Sequence, residues 1–389
     1  MDKQVKVLQI INGTSGTIGG IETFLTERYR RMDREKIRFD FAFTRKNTME
    51  LVMDDPVFKD THFFATHAFE ATTVAGRYCS FFRQIQALIK NNQYDVVHIN
   101  SGSPVIETLS LMAASSCHVP LKIAHSHISA PVVDGEVQIT TGIRAMLVAL
   151  MKRYICKKAD YLFACSRAAG ETLFGKRAIT EKKFYHVKNG VHLESLKYDI
   201  ETRERCRAEE GVSDALVFGT VGRLSDQKNP TFIIKIFAEI RKKEKNAVLW
   251  LVGDGEKRDE VKSQIRELGL TDCVKMWGER KDVPRLMQAM DALLFPSLYE
   301  GLSIVAIEAQ AAGLPVFASD TISEEHKISD SLYFLPLSAG PEHWVSRVLD
   351  EVEHLPVRKD MSEEIQTAGY DVRDSAAMLE SIYLNHGKK

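Results

Sequence analysis

Cysteine is sparse and unpaired in this sequence: six residues (Cys79, Cys117, Cys156, Cys165, Cys206, Cys273) among 389, with no C-x-x-C spacing. That argues against a zinc site or a disulfide framework and fits a reducing cytoplasm. No D-x-D triplet occurs, which removes the simplest metal–diphosphate site. No G-x-G-x-x-G run occurs, so the dinucleotide fingerprint is missing. Long apolar runs are missing too. In the helical stretch near residue 150 the longest is "AMLVALM", far short of the roughly 20 residues of a membrane span. The opening "MDKQVKVLQII" reads as a short strand, too short for a signal peptide. With a formal net charge of −1 and no basic–aromatic stripe, the chain gives little support to nucleic-acid binding.

What is present is an ordinary globular composition, 44% hydrophobic and 27% charged, long enough for two domains. The charge is uneven. Through Glu194 there are 26 Lys plus Arg against 19 Asp plus Glu, and the remainder has 26 against 34. A basic first half suits an anionic lipid or an acidic substrate, though a sampling imbalance of this size is equally ordinary.

Short β-rich runs alternate with helical ones. "VKVLQII", "RFDFAFT", "YDVVHIN", "LKIAHSH" and "DYLFACS" read as strands of the first half, separated by helices such as "PVIETLSLMAASS". The pattern restarts at "LVFGTVGRL" and continues through "AVLWLVGDG", "VKMWGER", "DALLFPS" and "PVFASD". Such alternation implies βαβ units and parallel sheets. The charged segment "LKYDIETRERCRAEEGVSD" between the halves reads as a linker. The expected fold class is therefore α/β, with two Rossmann-like domains and a cleft between them. Ligands in such sheets bind beyond the carboxyl ends of the strands.

Four strand ends of the second half carry candidate groups. In "VGRLSDQKNP", Arg223 and Lys228 follow a strand in a loop with Gly222. An Arg fork and a mobile Lys charge suit a diphosphate, and solvated surface charges are the other reading. In "VGDGEKR", Gly253 and Gly255 flank Asp254. These glycines permit close backbone approach to a ligand, or simply a tight turn into a helix. In "WGER", Gly278 and Arg280 end the next strand, where a site and a plain loop are not separable.

The fourth is "YEGLSIVAIEAQAAGLPV", Tyr299 to Val316, an apolar helix holding one charge, Glu308, with Glu300 at its mouth. A buried carboxylate is costly without a hydrogen-bond partner, from the protein or from a ligand. Eight helical residues turn about 80° past two full circles and rise about 12 Å. With Glu300 in a loop and Glu308 in the helix, the two can hold different parts of one extended ligand. The intervening Gly301, Leu302 and Ser303 would offer N–H groups at a helix N-terminus, which favours anions.

In the first half, "NGTSGTIGGIE" joins a strand to a helix, with Gly19 and Gly20 poised for backbone contact with phosphate or sugar. "HSH", His125 to His127, ends a strand, and a strand-end His is most often structural. Metal is disfavoured there because no Cys or acidic residue lies nearby in sequence.

Taken together and in order, these residues resemble the retaining glycosyltransferases of family 4, over essentially the whole chain. The E-x7-E pair Glu300/Glu308 is the strongest element, joined by "GRLSDQKNP", "VGDGE", "WGER", "GGIE" and "KNGV". "AHSH" and "ACSRAAGETLFG" look like bacterial exopolysaccharide or capsule transferases of the EpsF type. The resemblance implies the GT-B fold, with parallel sheets facing each other across a cleft. It implies an acceptor-binding domain at 1–195 plus a crossover helix at 373–389, and a nucleotide-sugar-binding domain at 196–372. It implies that Glu308 accepts from the ribose and Glu300 from donor-sugar hydroxyls. Gly301, Leu302 and Ser303 would bind sugar and phosphate through backbone amides. Arg223 and Lys228 would neutralise the diphosphate, Gly19 and Gly20 would close over the donor, and Gly222, Asp254 and Gly255 would line it. His127 would face the sugar, and Arg280 would mark where backbone groups read the base. The implied partners are a nucleoside-diphosphate sugar, UDP before GDP, and a glycan or lipid-linked acceptor, with no metal or other cofactor.

The acceptor side is less legible. "SAPVVDGEVQITT" is a candidate acceptor loop. The helix "IRAMLVALMKRYICKK" reads first as a core helix with a solvated basic face, and second as a surface helix on an anionic membrane. The second reading would place the protein on the inner face of the cytoplasmic membrane. The rivals are a UDP-sugar 2-epimerase of related architecture and a degenerate transferase serving as a scaffold.

Overall fold

The computed structural model describes residues 4–12, 20–44, 53, 55–66, 72–127, 132–133, 136–137, 142–300, 302–354 and 358–385. Contacts divide the chain into two compact units, Met1–Gly190 with Val372–Lys389, and Val191–Asp371.

The first unit holds a seven-stranded parallel sheet. Its strands are β1 (Val5–Ile11), β2 (Ile37–Phe43), β3 (Phe63–Ala65), β4 (Val96–Ser101), β5 (Leu121–Ser126), β8 (Tyr161–Ala164) and β9 (Phe184–His186), in the order β3-β2-β1-β4-β5-β8-β9. β6 (Val132–Val133) and β7 (Glu136–Val137) pair as a small antiparallel ribbon. The main strands are largely apolar and buried because helices cover both faces of a parallel sheet, with polar residues such as Gln9, His98 and Asn100 as buried exceptions. One face packs under Phe81, Ile85, Ile106 and Leu111, the other under Phe24, Tyr29 and Tyr383. Tyr383 belongs to the terminal helix Val372–Leu384, which packs on this unit.

The second unit repeats the scheme with β10 (Leu216–Val221), β11 (Ala247–Val252), β12 (Val274–Gly278), β13 (Ala292–Phe295), β14 (Val316–Ser319) and β15 (Leu332–Leu335), in the order β12-β11-β10-β13-β14-β15. In each sheet the strand order reverses once, between β1 and β4 and between β10 and β13. That reversal opens a crevice at the carboxyl ends of the flanking strands.

Two expectations are corrected here. The charged segment between the halves is not a linker. It forms the helices Leu193–Leu196 and Ile200–Glu209, and Cys206 is fully buried. Arg203 and Arg207, one turn apart, both pair with Asp291 and donate to carbonyls at the end of helix Val283–Ala289. Their charge is thus spent on a helix C-terminus and a carboxylate, not on water.

Helix Ile143–Lys158 is not a core helix with its apolar face covered. Ile143 (75% exposed), Met146 (59%), Leu147 (47%) and Leu150 (54%) form one stripe at i, i+3, i+4, i+7. Further along, Ile155 is buried against the unit.

Candidate active site

The loops after β10, β11 and β12 lie against one another. Gly222 N–H donates to Val252 O (2.9 Å), Leu224 N–H to Asp254 O (3.0 Å) and Gly253 N–H to Gly278 O (2.8 Å). A Cβ on Gly253 would lie 2.0 Å from Gly222 O, and one on Gly255 would lie 2.5 Å from Leu224 O. Glycine is required at both positions by loop-to-loop packing. Loop packing therefore accounts for glycine at 255 whether or not a ligand approaches it. Asp254 accepts from Gly255 N–H (2.8 Å) and pairs with Arg258 (2.5 Å), the tight-turn reading. Arg280 is gripped by Asp282 through two bonds of 2.7 and 2.8 Å and lies over the Trp277 ring. Its side chain is therefore occupied, and any contact with a base would fall to the backbone.

The predicted cations separate. Arg223 is exposed and pairs with Glu256 (3.0 Å), a carboxylate the sequence reading did not single out. Lys228 is largely buried. Its ammonium lies 2.6 Å from Glu300 Oε1 and over the Phe295 ring. Gln227 Nε2 adds a bond to Tyr299 O (3.0 Å) and a longer one to Glu300 Oε2 (3.4 Å). The β10 and β13 loops are thus tied together by Lys228 and Glu300 at the point where strand order reverses. Gly222 lies beneath this pair, its Cβ position 3.2 Å from Lys228 Cε.

Helix Ile304–Ala311 begins three residues later than the apolar run suggests. Leu302 is buried just before it, and Gly301 lies outside the described residues. Ser303 is the cap residue, but its amide is not available to a phosphate. It donates 2.9 Å to His326 Nε2, whose Nδ1 in turn faces Ser323 O at 2.8 Å. His326 is therefore a neutral Nδ1–H tautomer, and burial keeps its pKa low. Ser303 as an anion-binding amide is corrected accordingly. No side chain caps this helix, so its first-turn N–H groups are left to other partners.

Glu308 lies mid-helix. No hydrogen bond or ion pair reaches its carboxylate among the described residues. Burial raises its pKa to about 7, and His192 pulls in the opposite direction. The carboxyl is thus poised between protonated and ionised at neutral pH, awaiting a donor.

In the first unit, Gly20 opens helix Gly20–Tyr29, and Gly19 lies outside the described residues. His127, just past β5, has Nε2 3.1 Å from Asn100 Oδ1. Burial and the Arg28 charge hold its pKa down to about 3, so the ring is neutral. Most of the candidate acceptor loop lies outside the described residues.

Sequence reasoning missed Gln227, Glu256, His192, Asn100 and His326. Gln227 and His192 sit inside or beside quoted motifs. His326 follows Ser303 by 23 residues and carries no local signal.

With this geometry in hand, known proteins can be compared. A family model for glycosyltransferase family 4 matches residues 18–195, and one for glycosyl transferases group 1 matches residues 202–362. The chain is 28% identical over 390 residues to EpsF of Bacillus subtilis (strain 168), which carries a glycosyltransferase name, covering 98% of this chain and 96% of that one. It is 26% identical over 319 residues to the UDP-Gal:alpha-D-GlcNAc-diphosphoundecaprenol alpha-1,3-galactosyltransferase of Escherichia coli, covering 78% of this chain and 76% of that one. Among solved structures, Anabaena Alr3699/HepE in complex with UDP superposes with a TM-score of 0.73 at 18% identity, covering 97% and 99% of the two chains, a likeness of fold. The motifs, the two Rossmann-like sheets and the paired domain models agree: the chain belongs to the family 4 glycosyltransferases and has the GT-B fold.

Proposed function

We propose that this protein is a retaining, metal-independent glycosyltransferase. It would move a sugar from a UDP-sugar to a hydroxyl of a glycan or lipid-linked acceptor, in exopolysaccharide or capsule synthesis. The observation that carries this reading is the Lys228–Glu300 pair at the strand-order reversal of the second sheet, on the loop leading to the unpaired Glu308. Lys228 with Arg223, the carboxylate of Glu300 and the unpaired carboxylate of Glu308 suit a diphosphate, a hexose and a ribose in turn.

In the proposed reaction the bond from the anomeric carbon to the diphosphate oxygen breaks. The acceptor oxygen bonds to that carbon on the same face, and the acceptor proton passes to the departing diphosphate. Lys228 and Arg223 stabilise the negative charge that grows on the leaving group. Glu300, once Lys228 turns to phosphate, accepts from sugar hydroxyls. Glu308 accepts from the ribose. His127 faces the sugar, Gly19 and Gly20 meet the donor by backbone, and Gly301 and Leu302 offer amides. Two cations in these roles make a metal unnecessary.

UDP is preferred as the donor nucleotide because the Anabaena structure contains it and the E. coli relative's name specifies UDP-Gal. A lipid-linked acceptor is supported by that same relative's diphosphoundecaprenol acceptor and by helix Ile143–Lys158. Its exposed apolar stripe is accompanied by five cations (Arg144, Lys152, Arg153, Lys157, Lys158) and no acid, which suits an anionic membrane surface. None of the described helices is long and apolar enough to cross a membrane. Fold likeness alone does not separate transfer from epimerisation. The family models favour transfer.

The test is product analysis with a UDP-sugar and a lipid-linked acceptor. Release of UDP with an axial-to-axial glycosidic product, unaffected by chelator, supports the reading. An inverted product, a chelator-sensitive rate, or an epimerised UDP-sugar released without acceptor would overturn the corresponding part.

A further inference from the structure

Beneath the carboxyl end of the first sheet runs a chain of polar side chains that the proposed reaction does not use directly. His127 Nε2 faces Asn100 Oδ1 (3.1 Å), and Asn100 Nδ2 faces Gln9 Oε1 (2.8 Å). Gln9 Nε2 faces the Tyr383 hydroxyl (3.3 Å), which lies 2.7 Å from His98 Nδ1. His98 Nε2 faces His125 Nδ1 (3.1 Å). Gln9, His98, Asn100, His125 and Tyr383 are all without exposed surface. Three strands and the terminal helix each contribute.

Each link can carry its proton in either sense, but the senses are coupled. An amide presents oxygen on one side and NH2 on the other, and a neutral imidazole has one donor and one acceptor nitrogen, so the senses at His127, Asn100 and Gln9 are set together, while the Tyr383 hydroxyl can accept from both of its neighbours. One contact breaks the tie. Asn100 Nδ2 also lies 3.4 Å from the His98 backbone oxygen, and a carbonyl only accepts. The amide nitrogen must therefore face that side, and the amide oxygen must face His127. It follows that His127 carries its proton on Nε2 and leaves Nδ1 as a lone pair. In the same sense Asn100 Nδ2 donates to Gln9 Oε1, and Gln9 Nε2 donates to the Tyr383 hydroxyl. The chain ends at His125 Nε2, a buried atom with no partner among the described residues.

We propose that Asn100 is a positioning residue that fixes His127 as the Nε2–H tautomer, so that His127 meets a sugar hydroxyl as an acceptor through Nδ1. The tautomer follows from the chain alone. The meeting with a sugar rests on the transferase reading above. Burial, and then the charge of Arg28, keep the ring from gaining a second proton; the Arg28 guanidinium is held by bonds to Phe24 O (2.9 Å) and Lys188 O (3.1 Å). A neutral ring with one fixed lone pair can select a hydroxyl by its position, which a ring free to exchange tautomers would not.

Long-range 1H–15N correlation spectra of histidine-labelled protein test this directly, with the His127 signal assigned by its loss in His127→Gln. The expected wild-type pattern has Nε2 protonated and Nδ1 bare. Asn100→Leu should give a mixture of tautomers and lower turnover about tenfold, the worth of one hydrogen bond, with UDP affinity unchanged. Tyr383→Phe loosens the same core but leaves the Asn100–His98 contact, so the His127 tautomer should not move. A wild-type ring protonated on Nδ1 overturns the proposal even if neither variant folds. So does an Asn100→Leu spectrum identical to wild type. A wild-type chain that shows the Nε2–H tautomer but transfers no sugar supports the positioning role and removes the transferase reading instead.

Discussion

The ammonium of Lys228 lies 2.6 Å from the carboxylate of Glu300, and both side chains are largely buried. Each neutralises the other, so neither group is free until a ligand separates them. A diphosphate would draw Lys228 away, and the released Glu300 would face the sugar. In the proposed reaction, the binding of one part of the donor would thereby prepare the group that holds another.

Opposite effects are expected from the two halves of this pair. Lys228→Ala should weaken UDP binding by about 1.5–3 kcal/mol, the range of a charge-assisted hydrogen bond. Glu300→Gln frees Lys228 from a competitor, so UDP should bind as tightly or up to about tenfold tighter while transfer is lost. Calorimetry and a turnover assay on both variants check this. Equal weakening of UDP by both would mean that the pair is structural.

Glu308 gives a pH signature. Its carboxyl is held protonated up to about pH 7 by burial, and ribose hydroxyls donate best to the ionised form. Nucleotide affinity should therefore rise with pH up to about 7 and level off above, with a proton released on binding below that point. Glu308→Gln should abolish the Glu308 share of the slope, as read by titration in buffers of different ionisation enthalpy.

The same group affects stability in the opposite sense. Its folded pKa lies above the unfolded carboxyl value, so the unliganded protein loses stability as pH rises from about 4.5 to 7. The loss is on the order of 3 kcal/mol, about 2.5 pKa units at about 1.36 kcal/mol each. Glu308→Gln should accordingly raise Tm relative to wild type at pH 8 and not at pH 4.5, by differential scanning calorimetry.

Asp291 accepts from Val217 N–H (2.7 Å) while pairing with Arg203 and Arg207. Asp291→Ala leaves two enclosed guanidiniums without their carboxylate and should cost about 3–5 kcal/mol. A denaturant titration showing a loss under about 1 kcal/mol would return these arginines to the surface class.

Leu147 and Leu150 are about half exposed. The double substitution Leu147→Glu/Leu150→Glu should leave Tm nearly unchanged yet sharply reduce sedimentation with phosphatidylglycerol vesicles. Equal sedimentation of the variant would remove this helix from the membrane.

The two sheets were legible because parallel strands buried on both faces are written as mainly apolar runs such as "VKVLQII" and "ALLF". β3, three residues long, falls below the length at which such a run stands out. The charged stretch around Arg203 and Arg207 misled because charge ordinarily means solvent, and its partner Asp291 is 84 residues away from Arg207. The strand-end glycines stood out in the sequence, but the loops they make room for did not: Gly253 and Gly255 pack on Gly222 and Leu224. Glu300 and Lys228 were legible as candidates, but not as partners of each other. Nothing local in sequence reports a contact spanning 72 positions.

The most direct test of the donor site is calorimetric titration of the wild-type chain with UDP, GDP and ADP, repeated on Glu308→Ala. Saturable UDP binding that is lost or strongly weakened in Glu308→Ala is the predicted result. UDP binding left unchanged by Glu308→Ala, or no binding of any of the three nucleotides to the wild-type chain, would contradict it.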